Sequence, residues 1–181
     1  MKNSRLVALS GVCSALATLC LVGATYFSWG EVVFAVAAAV AVSTPLLVDG
    51  KNGLYSFLTY LASSVIGMFL GVSNALYSAP IVAFAMPAAM WKAFCESKRE
   101  DGSRRVKAIW QWVVYFALCE CAVALTALAV WAFTPDVFET IRSGKWYLLV
   151  ALANVAVPLY HFLMRGVFFF ARKAISKSGV R

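Results

Sequence analysis

The sequence is short of charge, of acidic residues in particular, and of histidine. Asp, Glu, Lys and Arg make up 13% of the chain, with 8 acidic residues and one histidine. Soluble domains carry about 25% charged residues. With 62% hydrophobic residues, this chain cannot hide its apolar side chains in a soluble core of its size. A soluble enzyme, a disordered chain and a secreted disulfide scaffold are excluded, and an integral membrane protein is indicated.

Motifs for catalysis, metal binding and nucleotide hydrolysis are missing as well. A single histidine and 5 scattered cysteines do not form a zinc ligand set, so we expect no metal and no cofactor. We interpret the cysteines as small apolar side chains. There is no Gly-x-Ser-x-Gly motif, no Walker motif and no pair of aspartates in an apolar segment. The chain is therefore not expected to be an enzyme, and energised transport would need an ion gradient or a partner ATPase.

Apolar segments long enough to cross a bilayer occur six times. A transmembrane helix needs about 20 apolar residues. Short connections between most of the segments favour antiparallel neighbours. Residues 1–181 are thus predicted to form a single all-α domain, a polytopic bundle of six transmembrane helices. The predicted spans are Leu6–Phe27, Val32–Val48, Gly53–Gly71, Asn74–Trp91, Ala108–Phe133 and Trp146–Phe170.

The basic residues predict an orientation. Thirteen of the 16 fall before the first span, beside the connections after the second and fourth spans, or in the tail. Arg142 and Lys145 fall on the opposite side. Because Lys and Arg collect in cytoplasmic loops, we expect a multi-pass protein of the cell membrane, surrounded by lipid, with both termini in the cytoplasm. This asymmetry accounts for the net charge of +8, so no nucleic-acid partner is expected.

Few ionisable side chains fall inside the predicted spans, and each raises a functional hypothesis because a charge in hydrocarbon is costly. Glu120 lies near the middle of the fifth span. It is either a carboxyl hydrogen-bonded to a neighbouring helix or a ligand-binding or proton-carrying group facing an internal cavity. His161 and Arg165 are four residues apart and share a helix face. We expect Arg165 to extend to the cytoplasmic interface and His161 to be packed or interfacial, with a proton relay as the alternative.

Small and helix-breaking residues carry two further expectations. Gly11 and Ala15 in the first span form a small-xxx-small pattern, which lets another helix approach closely. That helix belongs either to the same bundle or to a different subunit. Four of the six spans are interrupted, and interrupted helices often line cavities, so a bundle of straight rods is not expected. The interrupting residues are Pro45, Gly67, Gly71, Pro80, Pro87 and Pro158.

Two stretches and the overall plan resemble a known family. Residues Arg5–Ala17 place a basic residue before a small-residue helix. Residues Pro158–Val167 combine a proline, a histidine and an Arg-Gly pair. With six spans and both termini inside, the sequence resembles the substrate-binding S component of an energy-coupling factor (ECF) vitamin transporter.

The resemblance implies capture of a vitamin or similar small organic molecule from outside. A membrane-embedded coupling subunit and two ATPase subunits would be its partners and would energise uptake. Gly11 and Ala15 match the spacing of the family's contact with the coupling subunit, although glycine replaces the first alanine. The implied substrate site near the outer face comprises Trp29, Glu31, Asn74, Tyr77, Trp146 and Asn154, to which we add Glu120 as the mid-span carboxyl.

Two other functions stay open from the sequence. One is a stand-alone, gradient-driven transporter of a small molecule in which Glu120 titrates. The other is a non-transporting membrane subunit of a larger complex, in which Glu120 is only a packing contact. An S component should associate with ATPases, a gradient-driven carrier should depend on Glu120, and a packing subunit should show neither property.

Overall fold

The computed structural model describes residues 2–27, 30–50, 53–70, 75–100, 108–133, 144 and 146–177, which are almost entirely helical. Among these residues, six helical stretches are long and apolar enough to cross a membrane, which suggests a multi-pass membrane protein and matches the six helices predicted from the sequence. One stretch is composite, because a π-helical turn at Ile81–Ala85 joins two α-helices. The helices are α1 (Lys2–Tyr26), α2 (Glu31–Val48), α3 (Gly53–Leu70), α4 (Ala75–Pro80), α5 (Met86–Glu100), α6 (Ala108–Phe133) and α7 (Trp146–Lys177).

The predicted boundaries agree with the helices to within a few residues, except where two helices end in charged turns. The fourth stretch continues past Trp91 to Glu100, and the last continues past Phe170 to Lys177. Hydropathy falls where the charged residues begin, so the ends predicted from it come before the ends of the helices. Long charged side chains allow a helix to continue, because their heads can extend to the polar interface.

Alanine-rich helix faces form the centre of the bundle. Ala38 and Ala39 of α2 and Ala88, Ala89 and Ala93 of α5 are fully buried. Small side chains let backbones approach closely, and such packing holds helices together where lipid is as apolar as the side chains. Helix α2 is central in this arrangement, since it packs against α1, α3 and α5.

Gly67 allows α1 and α3 to approach closely. A Cβ atom at this buried glycine would lie 2.6 Å from Cδ1 and 2.9 Å from Cβ of Leu21. Leu21 is itself fully buried, so it has little room to move away. Gly166 in α7 is different, because a Cβ atom there would meet nothing within 4 Å. The first glycine is therefore required by packing, whereas the second is not.

Pro45 and Pro158 lie within unbroken helices, which corrects the expectation that they interrupt their spans. A proline inside a helix removes one backbone donor and disturbs the hydrogen bonds of the adjoining turn. Beside Pro45, Ser56 of α3 accepts a hydrogen bond of 3.0 Å from the N–H of Leu46. The N–H of Asp49 then donates to the carbonyl of Pro45 at 3.0 Å. Helix α2 thus continues past Pro45, and the hydroxyl of Ser56 accepts the hydrogen bond of the backbone N–H that follows the proline.

The π-helical turn lies between Pro80 and Pro87 and is the one departure from α geometry within the described helices. Its widened hydrogen bond runs from the N–H of Met86 to the carbonyl of Ile81. Pro87 has no N–H group, so the carbonyls one turn earlier lose a donor. Single π turns are frequent at functional sites.

Two tyrosines from other helices supply donors to this turn. Tyr60 of α3 donates a hydrogen bond of 3.3 Å to the carbonyl of Val82. Tyr160 of α7 donates to the carbonyl of Ala85. In the register of the π turn, an N–H at position 87 would donate to the carbonyl of Val82, and Pro87 has none. The turn is consequently held from both sides by side-chain hydroxyls.

Helices α2, α5 and α7 end together at one end of the bundle. The hydroxyl of Ser97 donates to the carbonyl of Gly50 at 2.8 Å. A guanidinium nitrogen of Arg172 lies 3.0 Å from Glu96 Oε2. We call this the basic end, and the opposite end, where α2 and α7 begin, the far end.

Helix α7 is the span that the other helices cover least. In its most apolar stretch of 18 residues 11% are buried, against 56% in the span that contains the π turn.

We expect Gly67→Ala to lower the free energy of unfolding by about 1–3 kcal/mol, because Leu21 or α1 has to shift to admit the methyl group. Gly166→Ala is the matched control, since that glycine is also helical but has open space at its Cβ position. Thermal unfolding in one detergent measures both variants. Equal unfolding temperatures for the two would contradict the close α1–α3 contact.

Candidate functional site

Helix α7 carries a stripe of polar side chains on one face. The spacing of seven, four and seven residues places them one above another along an α-helix. The stripe is about 27 Å long, from the middle of the bundle to the basic end. Helices α5 and α6 contribute the side chains that meet it. We call Asn154, His161, Arg165 and Arg172 the α7 polar stripe.

At the first position of the stripe, Asn154 is bonded to Glu120 across two helices. The Nδ2 group of Asn154 donates to Glu120 Oε1 at 2.9 Å and to the carbonyl of Val150 at 3.0 Å. The structure thus joins two of the predicted site residues, and Glu120 is a carboxyl hydrogen-bonded to a neighbouring helix. Its side chain is exposed on the surface of the bundle. The structure therefore places Glu120 on the surface of the bundle and not in the internal cavity that was one of the expectations.

At the second position, His161 is enclosed by aromatic rings. The ring centroids of Trp112 and Tyr115 from α6 lie 4.9 and 5.3 Å from that of the imidazole, which agrees with a packed histidine. His161 Nδ1 and Tyr115 Oη are buried without a hydrogen-bond partner among the described residues. Trp91 Nε1 of α5 is in the same state, and its ring packs against the cluster that contains Tyr115. The cluster is otherwise apolar, and each of these three atoms could still form a hydrogen bond.

At the basic end, Glu96 lies between two cations. Its Oε1 is 3.6 Å from the ammonium of Lys92, and its Oε2 is 3.0 Å from Arg172. Lys92 is only 6% exposed, so its charge depends on the nearby carboxylate. The sequence pattern had assigned Lys92 to the edge of a cytoplasmic connection, whereas the structure places it inside a helix contact. Arg165 lies one turn after His161, is exposed, and is not part of this ion-paired group.

The other predicted substrate residues are not brought together with the Glu120–Asn154 pair. Glu31 is the first residue of α2 and is half-buried, and Trp146 is the first residue of α7 and is exposed. Among the described residues, no hydrogen bond or ring contact links either of them to the pair. Three predicted side chains lie outside the described part of the chain: Trp29, Asn74 and, within α4, Tyr77.

Gly11 and Ala15 lie on the open face of α1. Both are exposed, and a Cβ atom at Gly11 would meet nothing within 4 Å. Cys13 and Ala17, on the opposite face, are buried against the bundle. The residues that the structure describes therefore show no close packing on Gly11 and Ala15 within the bundle. The face that they form is available to another subunit.

Metal and disulfide chemistry find no support in the described residues. All five cysteines are free. No group of three or more His, Cys, Asp or Glu side chains is placed to hold a metal ion in the part of the chain that was searched.

Sequence reasoning missed the aromatic enclosure of His161. Trp112 and Tyr115 are three residues apart on α6, which places them on one face. That spacing was available as a signal, but tryptophan and tyrosine near the end of a span are usually interface anchors. Their contact with α7 depends on how two helices pack, which a spacing within one helix does not reveal.

Comparison with protein-family models, with curated proteins and with solved structures finds no match to this chain. Its function is therefore inferred from its own sequence and geometry.

We expect Glu96→Gln to lower the free energy of unfolding by about 3 kcal/mol, because it leaves Lys92 buried without an anionic partner. Lys173→Gln is the control, since Lys173 is exposed and adjoins Arg172 in the chain. Thermal unfolding in detergent at neutral pH compares the two. A Glu96→Gln variant as stable as the control would mean that Lys92 does not depend on the carboxylate.

Proposed function

We propose that the chain is a membrane-embedded subunit that captures a vitamin or similar small organic molecule and docks onto a coupling subunit energised by two ATPase subunits. The observation that carries this proposal is the open face of α1 at Gly11 and Ala15. A stripe of small residues makes few contacts with lipid, whereas a partner helix can lie close to the backbone of α1 along it. The stripe therefore favours a docking role for α1.

Larger side chains adjoin this stripe. Val7 lies one turn before Gly11 in the same row, Val12 and Leu16 lie beside the stripe, and all three are more than half exposed. A partner helix lying over Gly11 and Ala15 would contact these side chains as well. Van der Waals packing of this kind is the main source of helix association in a bilayer.

Two of the proposed substrate contacts lie at the far end of the bundle. Glu31 and Trp146 begin α2 and α7, and both helices end at the basic end. Tyr77 lies in α4, before the chain continues through α5 to the basic end. These positions, together with Trp29 and Asn74 in the sequence, support substrate capture from the far side. The Glu120–Asn154 pair lies deeper, since Glu120 is at the middle of α6 and Asn154 is about two turns inside α7.

Purification from the source membrane in mild detergent, followed by native mass spectrometry, is expected to show ATPase subunits and a bound small molecule. Gly11→Leu is expected to reduce recovery of the ATPase subunits by about tenfold or more, because the added side chain separates the docked helices. Ala62→Leu is the control, since Ala62 is an exposed small residue on α3. Undiminished recovery with Gly11→Leu, or a chain that never associates with ATPases, would count against the proposal.

A second candidate is a stand-alone, gradient-driven transporter. The observation that favours it is the Glu120 carboxyl at the start of a polar stripe that continues past His161 to the Lys92–Glu96 pair. Ionisable groups arranged along a span are typical of ion and proton pathways. The third function, a non-transporting membrane subunit, requires neither this stripe nor a bound substrate.

Glu120→Gln distinguishes the first two candidates. For a gradient-driven carrier we expect uptake into vesicles to fall by about tenfold or more, since the amide cannot carry a proton. For the ATPase-coupled subunit we expect the uptake that remains to depend on ATP and not on an ion gradient, because the energy comes from the partners. Asp49→Asn is the control, because it removes a carboxylate that lies just outside α2.

A further inference from the structure

Glu120 lies where a carboxyl group is least expected, on the surface of the bundle in the middle of a span. It is central in the 26-residue helix α6, and its side chain is exposed. Ionisable residues in transmembrane helices almost always face the bundle interior or a water-filled cavity. From the centre of a helix the short Glu side chain cannot reach the interface. A polar surface from another molecule is therefore expected to cover it.

The Glu120–Asn154 pair has unused hydrogen-bonding capacity. Both hydrogen bonds of Asn154 to described residues leave from Nδ2, so its Oδ1 accepts none from them. Glu120 is bonded through Oε1, and its Oε2 has no hydrogen bond to any residue that the structure describes. An amide oxygen accepts hydrogen bonds, and a protonated carboxyl donates one. The pair is thus complementary to a second pair of the same kind.

Small side chains adjoin this pair, beside the larger Phe116 and Val113 on the same face of α6. Ala117 and Ala124, three residues before Glu120 and four after it, are exposed on its face of α6. Ala151 of α7, three residues before Asn154, is exposed too. Small residues that permit close approach, together with polar groups that bond across helices, are the two features of contacts between transmembrane helices. We call the pair and these three alanines the Glu120 surface.

We propose that the Glu120 surface is an interface with a second copy of this chain. Two copies inserted in the same direction are related by a two-fold axis along the membrane normal, so each residue meets residues at its own depth. At the depth of Glu120 this surface offers only its own carboxyl and amide. A protonated Glu120 of one copy donates to Asn154 Oδ1 of the other, and the reciprocal bond completes the contact.

This interface is separate from the proposed docking face. Helix α1 packs mainly against α2 and α3, whereas α6 packs against α4, the π turn and α7. A second copy on the Glu120 surface consequently leaves Gly11 and Ala15 open. Loss of the dimer and loss of ATPase association are therefore separate outcomes.

Cys121 provides a native cross-linking site for the test. It is exposed and adjoins Glu120, whereas Cys13, Cys95 and Cys119 are buried. A short bis-maleimide reagent applied to native membranes is expected to give a species of twice the chain mass, and Cys121→Ser is expected to abolish it. Ala62→Cys in the Cys121→Ser background places an exposed cysteine on α3 and is expected to give no such species.

The strength of the contact is measured by the dimer fraction of labelled protein in liposomes at several densities. Glu120→Leu is expected to weaken dimerisation by about tenfold or more, because both reciprocal hydrogen bonds are lost. Glu120→Gln is expected to stay within about threefold of the original chain, since an amide both donates and accepts. Ala124→Leu, which keeps every hydrogen bond but adds bulk, is expected to weaken the dimer and serves if Glu120→Leu does not fold.

A chain that is monomeric at every density would overturn the proposal. Cross-linking of Cys121 to a different protein would also overturn it, because the occupant would then be another subunit. So would a dimer that withstands both Glu120→Leu and Ala124→Leu, since the contact would lie elsewhere.

Discussion

Backbone N–H and C=O groups inside a bilayer have to find their partners within the protein, because hydrocarbon offers none. This chain makes the requirement harder by placing prolines in its spans. Ser56 bonds beside Pro45, and Tyr60 and Tyr160 donate to carbonyls of the π turn. These hydroxyls come from α3 and α7, so the bonds that satisfy the backbone also determine which helices are neighbours. The position of α7, and with it the polar stripe, follows from this constraint.

The bundle divides into a closely packed part and a more open part. Alanine faces bring α2 and α5 together in a cluster of buried apolar side chains. The ionisable side chains gather instead where α7 meets α5 and α6, and α7 is the least covered span. Helix α5 takes part in both, through its buried alanines and through the Lys92–Glu96 pair. A change in the ion-paired residues is therefore expected to affect stability as well as function.

The helices themselves could be predicted, because length and hydropathy are local properties of the sequence. Which face of each helix points into the bundle could not be predicted. Lipid and protein core are both apolar, so a membrane helix lacks the polar side that reveals orientation in a soluble protein. Gly11 and Ala15 were identified by spacing, but only packing shows that they are exposed. Glu120 and Asn154 were each singled out, yet their bond joins residues 34 positions apart and depends on how α6 meets α7.

The π turn also sets the rotational phase of everything that follows it in the same span. A π turn holds one residue more than an α turn, and one residue corresponds to about 100° of rotation about the helix axis. If Ile81–Ala85 adopted α geometry with all five residues kept, α5 would rotate by about that angle. Glu96 would then point away from Arg172, to which it is now ion-paired. The π geometry of this one turn thus decides which side of α5 faces the bundle.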